Sequence, residues 1–148
     1  MSAAVDGNPS VTMPTLTPQE LELNDAWIEG DPAARWRSGA GHGPSVGARA
    51  SGSSVLAVAP GCRLPRHTDS AEEVVVVIAG MAEVVVGDKR SAVPAGGLAL
   101  IPAEVPHEVH NVGEDELRFV AVYADTEVVT RYEAEVQPTG SRERRPVG

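Results

Sequence analysis

The stretch PGCRLPRHTDSAEEVVVVIAG, residues 60–80, decides the fold because it places a histidine and later acidic positions just before a run of aliphatic residues. Residues 74–78 are apolar at every position, which indicates a β-strand buried on both faces. We expect one face to pack inside a barrel and the other against a second sheet or subunit. Side chains two positions apart share a face of an extended strand, so His67, Asp69 and Glu73 are predicted to point the same way.

The same rhythm of short aliphatic runs between glycine, proline or acidic residues continues along the chain, and it predicts an all-β fold. The predicted strands cover residues 54–59, 73–79, 82–86, 98–101, 107–112, 117–123 and 128–132. Turn sequences separate most of them, so consecutive strands should be antiparallel neighbours. The expected architecture is a sandwich or a barrel.

The two ends of the chain have a different composition. Residues 1–16 mix small and polar residues without periodicity, which predicts a disordered arm. Thr17 and Glu20 can form the capping box of a short helix, and residues 17–53 as a whole are expected to pack on the barrel. Residues 137–148 are charged and poor in apolar side chains, which predicts a flexible tail.

Charge and cysteine content restrict the partners and the compartment. The 148 residues carry a formal net charge of -9, and this argues against nucleic acids and anionic membranes, which both select basic surfaces. The single cysteine, Cys62, excludes an internal disulfide and fits a reducing compartment. No signal-peptide pattern or membrane-length apolar span is seen, so we expect a soluble, cytoplasmic protein.

The predicted inward position of two carboxylates has a chemical consequence. An ionised carboxylate inside an apolar barrel is strongly unfavourable unless a positive charge compensates it. A divalent cation would supply that charge, and His107, in the stretch IPAEVPHEVHN, offers a second imidazole. Two imidazoles with one or two carboxylates around an open position suit one divalent transition metal such as Fe, Mn, Ni or Zn.

These residues resemble the two sequence motifs of the cupins, which can be written G-x5-H-x-H-x3-E-x6-G and G-x5-P-x-G-x2-H-x3-N. The first motif aligns with Gly61, His67, Asp69, Glu73 and Gly80. The second aligns with Gly96, Pro102, Glu104, His107 and Asn111. Every spacing is kept, and the resemblance covers about residues 54–123. Asp69 stands where the family has its second histidine ligand, and Glu104 replaces a glycine.

The resemblance implies a double-stranded β-helix, a jelly-roll-like barrel, over residues 54–136. It also implies a mononuclear metal centre held by His67, Glu73 and His107, with Asp69 as a fourth ligand or as a general base. Asp69 and Glu73 are therefore the candidate catalytic residues. The implied function is a metal-dependent enzyme that acts on a small organic molecule, by dioxygenase chemistry or by isomerase, dehydratase or cyclase chemistry.

Several alternatives remain open at the level of sequence. The order His67-x-Asp69, His107, Arg118 also resembles the iron site of 2-oxoglutarate-dependent oxygenases, which share the barrel. The alternatives to an enzyme are a cupin that binds or senses a small ligand without turnover, and a storage or scaffold cupin. Glu72 could replace Glu73 if the strand register slipped. Small cupins are often dimers, so we expect a homodimer in which residues 128–136 pair with another subunit.

Overall fold

The structure is a computed structural model that describes residues 11–145. Regular structure in this range consists of β-strands and one 3₁₀ turn at Pro44–Val46. The strands are β1 Asn24–Ile28, β2 Asp31–Ala40, β3 Gly52–Val58, β4 Arg63–Asp69, β5 Glu73–Ala79, β6 Met81–Val86, β7 Lys89–Pro94, β8 Leu98–Ile101, β9 His107–Asn111, β10 Leu117–Tyr123, β11 Thr130–Val136 and β12 Ser141–Arg144.

The strands form two sheets that meet at β2. The first sheet has the antiparallel order β2-β3-β10-β5-β8, and β1 also pairs with β2. The second has the order β7-β6-β9-β4, followed by β11 on β4 and β12 on β11. One parallel pair, Ala34 with Arg63, joins the sheets. The resulting barrel is nearly closed and confirms the expected all-β, double-stranded β-helix fold.

The core lies between the inner faces of the two sheets. Val75, Val77 and Phe119 of the first sheet have no exposed surface, and Val84 and Val109 of the second sheet face them with 3% and 1% exposed. The alternate residues of β5 point outward and are half-buried. The prediction that this strand is buried on both faces is therefore confirmed for its inner face, whereas its outer face is only half-buried.

Two turns show why the motifs carry glycines. Gly80 connects β5 to β6 with a φ of 86°, and an added Cβ would lie 2.8 Å from the Glu116 carbonyl oxygen, so a side chain does not fit. Glu104 stands where the family has a glycine, and it adopts a φ of 65° that L-residues rarely accept. Its N–H donates to the Asp69 carbonyl oxygen at 2.8 Å, which ties this turn to β4.

The region before the barrel differs from its prediction. Thr17 and Glu20 form a single turn, closed by a 2.9 Å hydrogen bond between their backbones, and no α-helix occurs within residues 11–145. One turn of helix is too short to be stable by itself, and the chain extends directly afterwards. Residues 11–16 of the predicted arm are exposed and irregular, while the rest of that arm lies outside the described residues. β1 and β2 come from the predicted packing segment and are hydrogen-bonded members of the sheet.

The C-terminal region also requires a correction. Within the predicted flexible tail, Ser141–Arg144 forms β12 and pairs with β11. An edge strand gains main-chain hydrogen bonds and needs few apolar side chains, so its charged sequence conceals it. β11 pairs with β4 and with β12 of the same chain. Both edges of β11 are therefore occupied at Thr130 and Arg131, and this part of the strand is not available for the predicted pairing with another subunit. Residues 11–145 contain no helix long and apolar enough to cross a membrane.

Candidate metal centre

Four polar side chains meet inside the barrel, and they are the four residues that the sequence predicts. His67 and Asp69 alternate along β4, Glu73 is the first residue of β5, and His107 is the first residue of β9. Their exposed fractions are 4%, 2%, 3% and 1%, respectively. The same-face argument holds within β4, but Glu73 reaches the site from the next strand, after the turn at residues 70–72.

Both imidazole rings are oriented by backbone carbonyl groups. His67 Nδ1 lies 2.6 Å from the Pro65 oxygen, and His107 Nδ1 lies 2.9 Å from the Val105 oxygen. A carbonyl oxygen only accepts hydrogen bonds, so each Nδ1 carries the proton and each Nε2 has the lone pair when the ring is neutral. Hydrogen bonds of this kind fix the tautomer of metal-ligating histidines.

The two Nε2 atoms face the carboxylates. His107 Nε2 lies 3.0 Å from Asp69 Oδ2 and 3.1 Å from Glu73 Oε1, and His67 Nε2 lies 3.6 Å from Asp69 Oδ2. The donor atoms of His67, Asp69 and His107 are all within 4.8 Å of one another. Asp69 Oδ2 is buried and has no hydrogen-bond partner in the described chain, because its contact with His107 lacks hydrogen-bond geometry. This unsatisfied oxygen and the nitrogen and oxygen donors around it fit a divalent cation.

The ionisation of the cluster reflects burial and mutual attraction. Burial lowers the pKa of His67 to about 4, with a further contribution from His107. Burial alone would also lower the pKa of His107, but Asp69 and Glu73 outweigh it and raise that pKa to about 10. Burial raises the pKa of Glu73 to about 7, whereas His107 and His67 overcome burial at Asp69 and lower its pKa to about 2. Without metal, His107 thus retains a proton that a cation would displace.

Three residues outside the motifs contact or surround this cluster. Thr130 donates a 2.6 Å hydrogen bond to Asp69 Oδ1, and the Tyr132 ring lies 5.1 Å from the His67 ring. Trp36 stacks on the other side of Tyr132 at 5.4 Å and is 2% exposed. The motif spacing does not extend to any of them. The positions of Thr130 and Tyr132 follow from their pairing with Asp69 and His67 between β11 and β4, whereas Trp36 lies on β2.

A cavity of about 320 Å³ lies next to the cluster. Thr130 and Tyr132 form the wall that separates the two, since they line the cavity and also contact Asp69 and His67. The other lining residues are Asn24, Trp36, Ser38, Gly39, Ala40, Ser54, Leu56, Tyr123, Arg144 and Arg145. The volume suits a small molecule.

The structure also decides between several sequence alternatives. Glu73 is buried while Glu72 is exposed, so the register is the one that places Glu73 in the cluster. Arg118 points to the outer face of β10 and donates to the Pro18 carbonyl oxygen at 2.8 Å. It is therefore not positioned to anchor 2-oxoglutarate at the site. Asn111 has a structural role, because its amide nitrogen donates to the carbonyl oxygens of Val58 and Asp115, each at 2.8 Å.

Comparison with known proteins agrees with this geometry. A family model described as "Cupin domain" matches residues 54–123, whereas no curated protein sequence matches the chain. A putative sugar phosphate isomerase from Acidithiobacillus ferrooxidans is similar in structure, with 20% identity and a TM-score of 0.61 over 89% of this chain and 85% of that one.

Two oxalate decarboxylases are also similar in structure. The Lactobacillus farciminis protein shares 20% identity with a TM-score of 0.60, over 70% of this chain and 31% of its own. The Bacillus subtilis protein, which has Mn(II) centres, shares 20% identity with a TM-score of 0.55, over 68% of this chain and 28% of its own. The present chain thus spans about 30% of the length of these decarboxylases, and the likeness concerns the fold.

The fold and the buried His/Asp/His group define a double-stranded β-helix with a candidate metal centre in its interior. Together with the match over residues 54–123, they show that the chain contains a cupin domain.

Proposed function

We propose that this protein is a metal-dependent cupin enzyme that acts on a small organic molecule. The observation that carries the proposal is the convergence of two imidazole Nε2 atoms and two buried carboxylates around the unsatisfied Oδ2 of Asp69. With His107 protonated, ionised Asp69 and Glu73 still leave one buried negative charge uncompensated, which is costly, and a divalent cation would remove that cost.

His67, Asp69, Glu73 and His107 are the residues that would hold the metal. Mixed imidazole and carboxylate donors with open positions favour Fe(II) or Mn(II) over the closed tetrahedral geometry of structural Zn sites. The Bacillus subtilis oxalate decarboxylase, which is similar in fold, has Mn(II) centres, and this supports Mn(II) as a candidate. When bound, the cation would supply Lewis-acid chemistry or dioxygen activation.

The residues around the cluster would control access and proton transfer. Tyr132 and Trp36 exclude water from one side by their stacked, buried rings. Glu73 is the better candidate for a proton-transferring group, because burial raises its pKa to about 7, near the pH at which a general base is most effective. Thr130 holds Asp69 in one orientation, which suits a ligand rather than a mobile base.

Metal analysis tests the first half of the proposal. Protein purified without an affinity tag should contain about one equivalent of a divalent transition metal, as expected for a single mononuclear site. His107→Ala should lose the metal, whereas His110→Ala should keep it, because His110 lies on the outward face of the same strand, bound to Glu108 at 3.0 Å. The proposal would be refuted if the wild-type protein bound none of the four candidate metals, Fe, Mn, Ni and Zn.

Catalysis is tested with Glu73→Gln and its neighbour Glu72→Gln, which is the exposed control. The metal-loaded variants and the wild type are incubated with a metabolite extract, and the depletion of small molecules is followed by mass spectrometry together with dioxygen consumption. We expect turnover that is lost in Glu73→Gln and retained in Glu72→Gln. Binding of an extract component without its consumption would instead favour a sensing cupin.

A further inference from the structure

The cavity beside the metal centre contains a buried donor that the proposed function does not use. Trp36 lines the cavity, is 2% exposed, and its indole N–H has no hydrogen-bond partner within residues 11–145. Trp27, in contrast, donates to Glu29 at 3.0 Å. Buried donors are almost always satisfied in folded proteins, so the unpaired Trp36 N–H shows that the described chain does not satisfy every polar group in the wall of this cavity.

Arg144 supplies a positive charge at the same cavity, where its guanidinium lies within hydrogen-bonding reach of the Tyr132 hydroxyl. It is the last residue of β12, it lines the cavity, and it makes no ion pair with a carboxylate of the described residues. Two nearby arginines do have such a partner, since Arg131 and Arg145 lie 3.3 Å and 3.1 Å from the two carboxylate oxygens of Glu143. In a chain of net charge -9, an arginine that remains unpaired at a cavity is a marker for an anionic ligand.

We propose that the cavity binds a small organic carboxylate, whose oxygens accept hydrogen bonds from the Arg144 guanidinium. This inference deepens the proposed function, because it names the class of substrate that the metal centre would receive. A guanidinium offers parallel N–H groups that match the two oxygens of a carboxylate. One guanidinium suits a planar group of single charge better than a phosphate, which has more oxygens and more charge to satisfy.

The position of the cavity gives the ligand its direction. Arg144 and the metal cluster lie on either side of the wall formed by Thr130 and Tyr132. A carboxylate held at Arg144 therefore lies beside the cluster, and the Tyr132 side chain would have to move for the rest of the ligand to reach the metal centre. The cavity of about 320 Å³ is at the small end of ligand pockets, which limits the substrate to a few carbon atoms or one ring.

Tryptophan fluorescence provides a direct test. In a Trp27→Phe background Trp36 is the single remaining tryptophan of the chain, and its emission reports on the cavity. The probes are pyruvate, succinate and benzoate, each compared with its neutral amide and with inorganic phosphate, in metal-free and metal-loaded protein. Arg144→Gln is compared with Arg142→Gln, an exposed arginine of the same strand that does not line the cavity.

We expect at least one carboxylate to change the Trp36 emission saturably, with its amide at least about tenfold weaker, as the loss of a charge-assisted pair implies. Arg144→Gln should weaken binding by about tenfold or more and Arg142→Gln should not. If Arg144→Gln lowers the melting temperature, Arg144→Lys is used in its place. The affinity of Arg144→Lys for the carboxylate should fall between those of the wild type and Arg144→Gln. The inference is overturned if no carboxylate binds, if amides or phosphate bind as well, or if both Gln variants behave alike.

The metal content of the same samples separates this inference from the proposed function. Binding of a carboxylate that depends on Arg144 in a protein that never takes up metal would refute the metal proposal and retain the carboxylate site. A metal-loaded protein in which no carboxylate perturbs Trp36 would refute the carboxylate site and retain the metal proposal.

Discussion

Replacing Thr130 with valine is expected to weaken metal binding at the candidate centre without changing any of the four proposed ligands. The Thr130 hydroxyl donates a 2.6 Å hydrogen bond to Oδ1 of Asp69, and the two residues are direct partners in the pairing of β11 with β4. With Oδ1 held in this way, Oδ2 faces His67 and His107. Valine keeps the branched shape and strand preference of threonine, but it donates no hydrogen bond.

The magnitude follows from the burial of Asp69, which is 2% exposed. Water cannot readily replace the lost donor, and a hydrogen bond to a charged group contributes about 1.5–3 kcal/mol. Since about 1.4 kcal/mol corresponds to a factor of ten in affinity, Thr130→Val should raise the Kd for the metal by about 10- to 100-fold, the range typical of residues that orient a ligand. Competition with a chromophoric chelator for Co(II) or Zn(II), at fixed pH, measures the Kd.

Thr68→Val is the matched control, because Thr68 is the residue before Asp69 on β4 and its side chain points to the other face of the strand. Its Kd should stay within about twofold of the wild-type value, as for substitutions outside a buried network. The reasoning is refuted if Thr130→Val binds metal as tightly as the wild type, or if the two variants lose affinity by the same factor.

Three further predictions concern protonation, strain and assembly. Because the pKa of His107 is raised to about 10, metal binding should release about one proton and tighten about tenfold per pH unit between about pH 7 and 9, as calorimetry in two buffers can show. Glu104→Gly should increase the free energy of unfolding in urea by up to about 1 kcal/mol, because glycine accepts the left-handed backbone conformation of this position without strain. We expect a homodimer by light scattering, and Leu98→Lys with Leu100→Lys should make it monomeric, since these side chains of β8 are 66% and 57% exposed.

The strands predicted from sequence are those with aliphatic inner faces. β5 and β10 have a buried residue at every second position, and the apolar pattern locates both with little error. β7 and β12 were not predicted, because they are edge strands whose residues are mostly exposed and polar. For such strands the main-chain pairing decides the structure, and periodicity carries little information.

β4 was not predicted for a different reason. Its inward residues near the end are His67 and Asp69, where a structural strand would have apolar side chains. Pro65 also lacks a backbone N–H, and the register of β4 against β9 shifts between Leu64 and His67. The strand violates the pattern because it carries the site, as expected where function and local preference conflict. The motif spacing found the residues that the strand pattern missed.

The motif spacing in turn says nothing about the cavity. Thr130, Tyr132 and Arg144 lie beyond the second motif, and Trp36 lies before the first. They reach the site because β2, β11 and β12 complete the barrel next to β4. These contacts depend on the pairing of strands distant in the chain, which a single sequence does not specify.

The replacement of a family histidine by Asp69 has a consequence for the charge of the whole centre. Two neutral imidazoles with Asp69 and Glu73 carry two negative charges, so a bound divalent cation would leave a buried centre with no net charge, which favours burial. A histidine in place of Asp69 would leave one positive charge, able to attract an anionic substrate by itself. With Asp69 the centre cannot provide that attraction, and an anion would bring one uncompensated negative charge. The positive charge of Arg144, which lines the adjacent cavity, would compensate that negative charge.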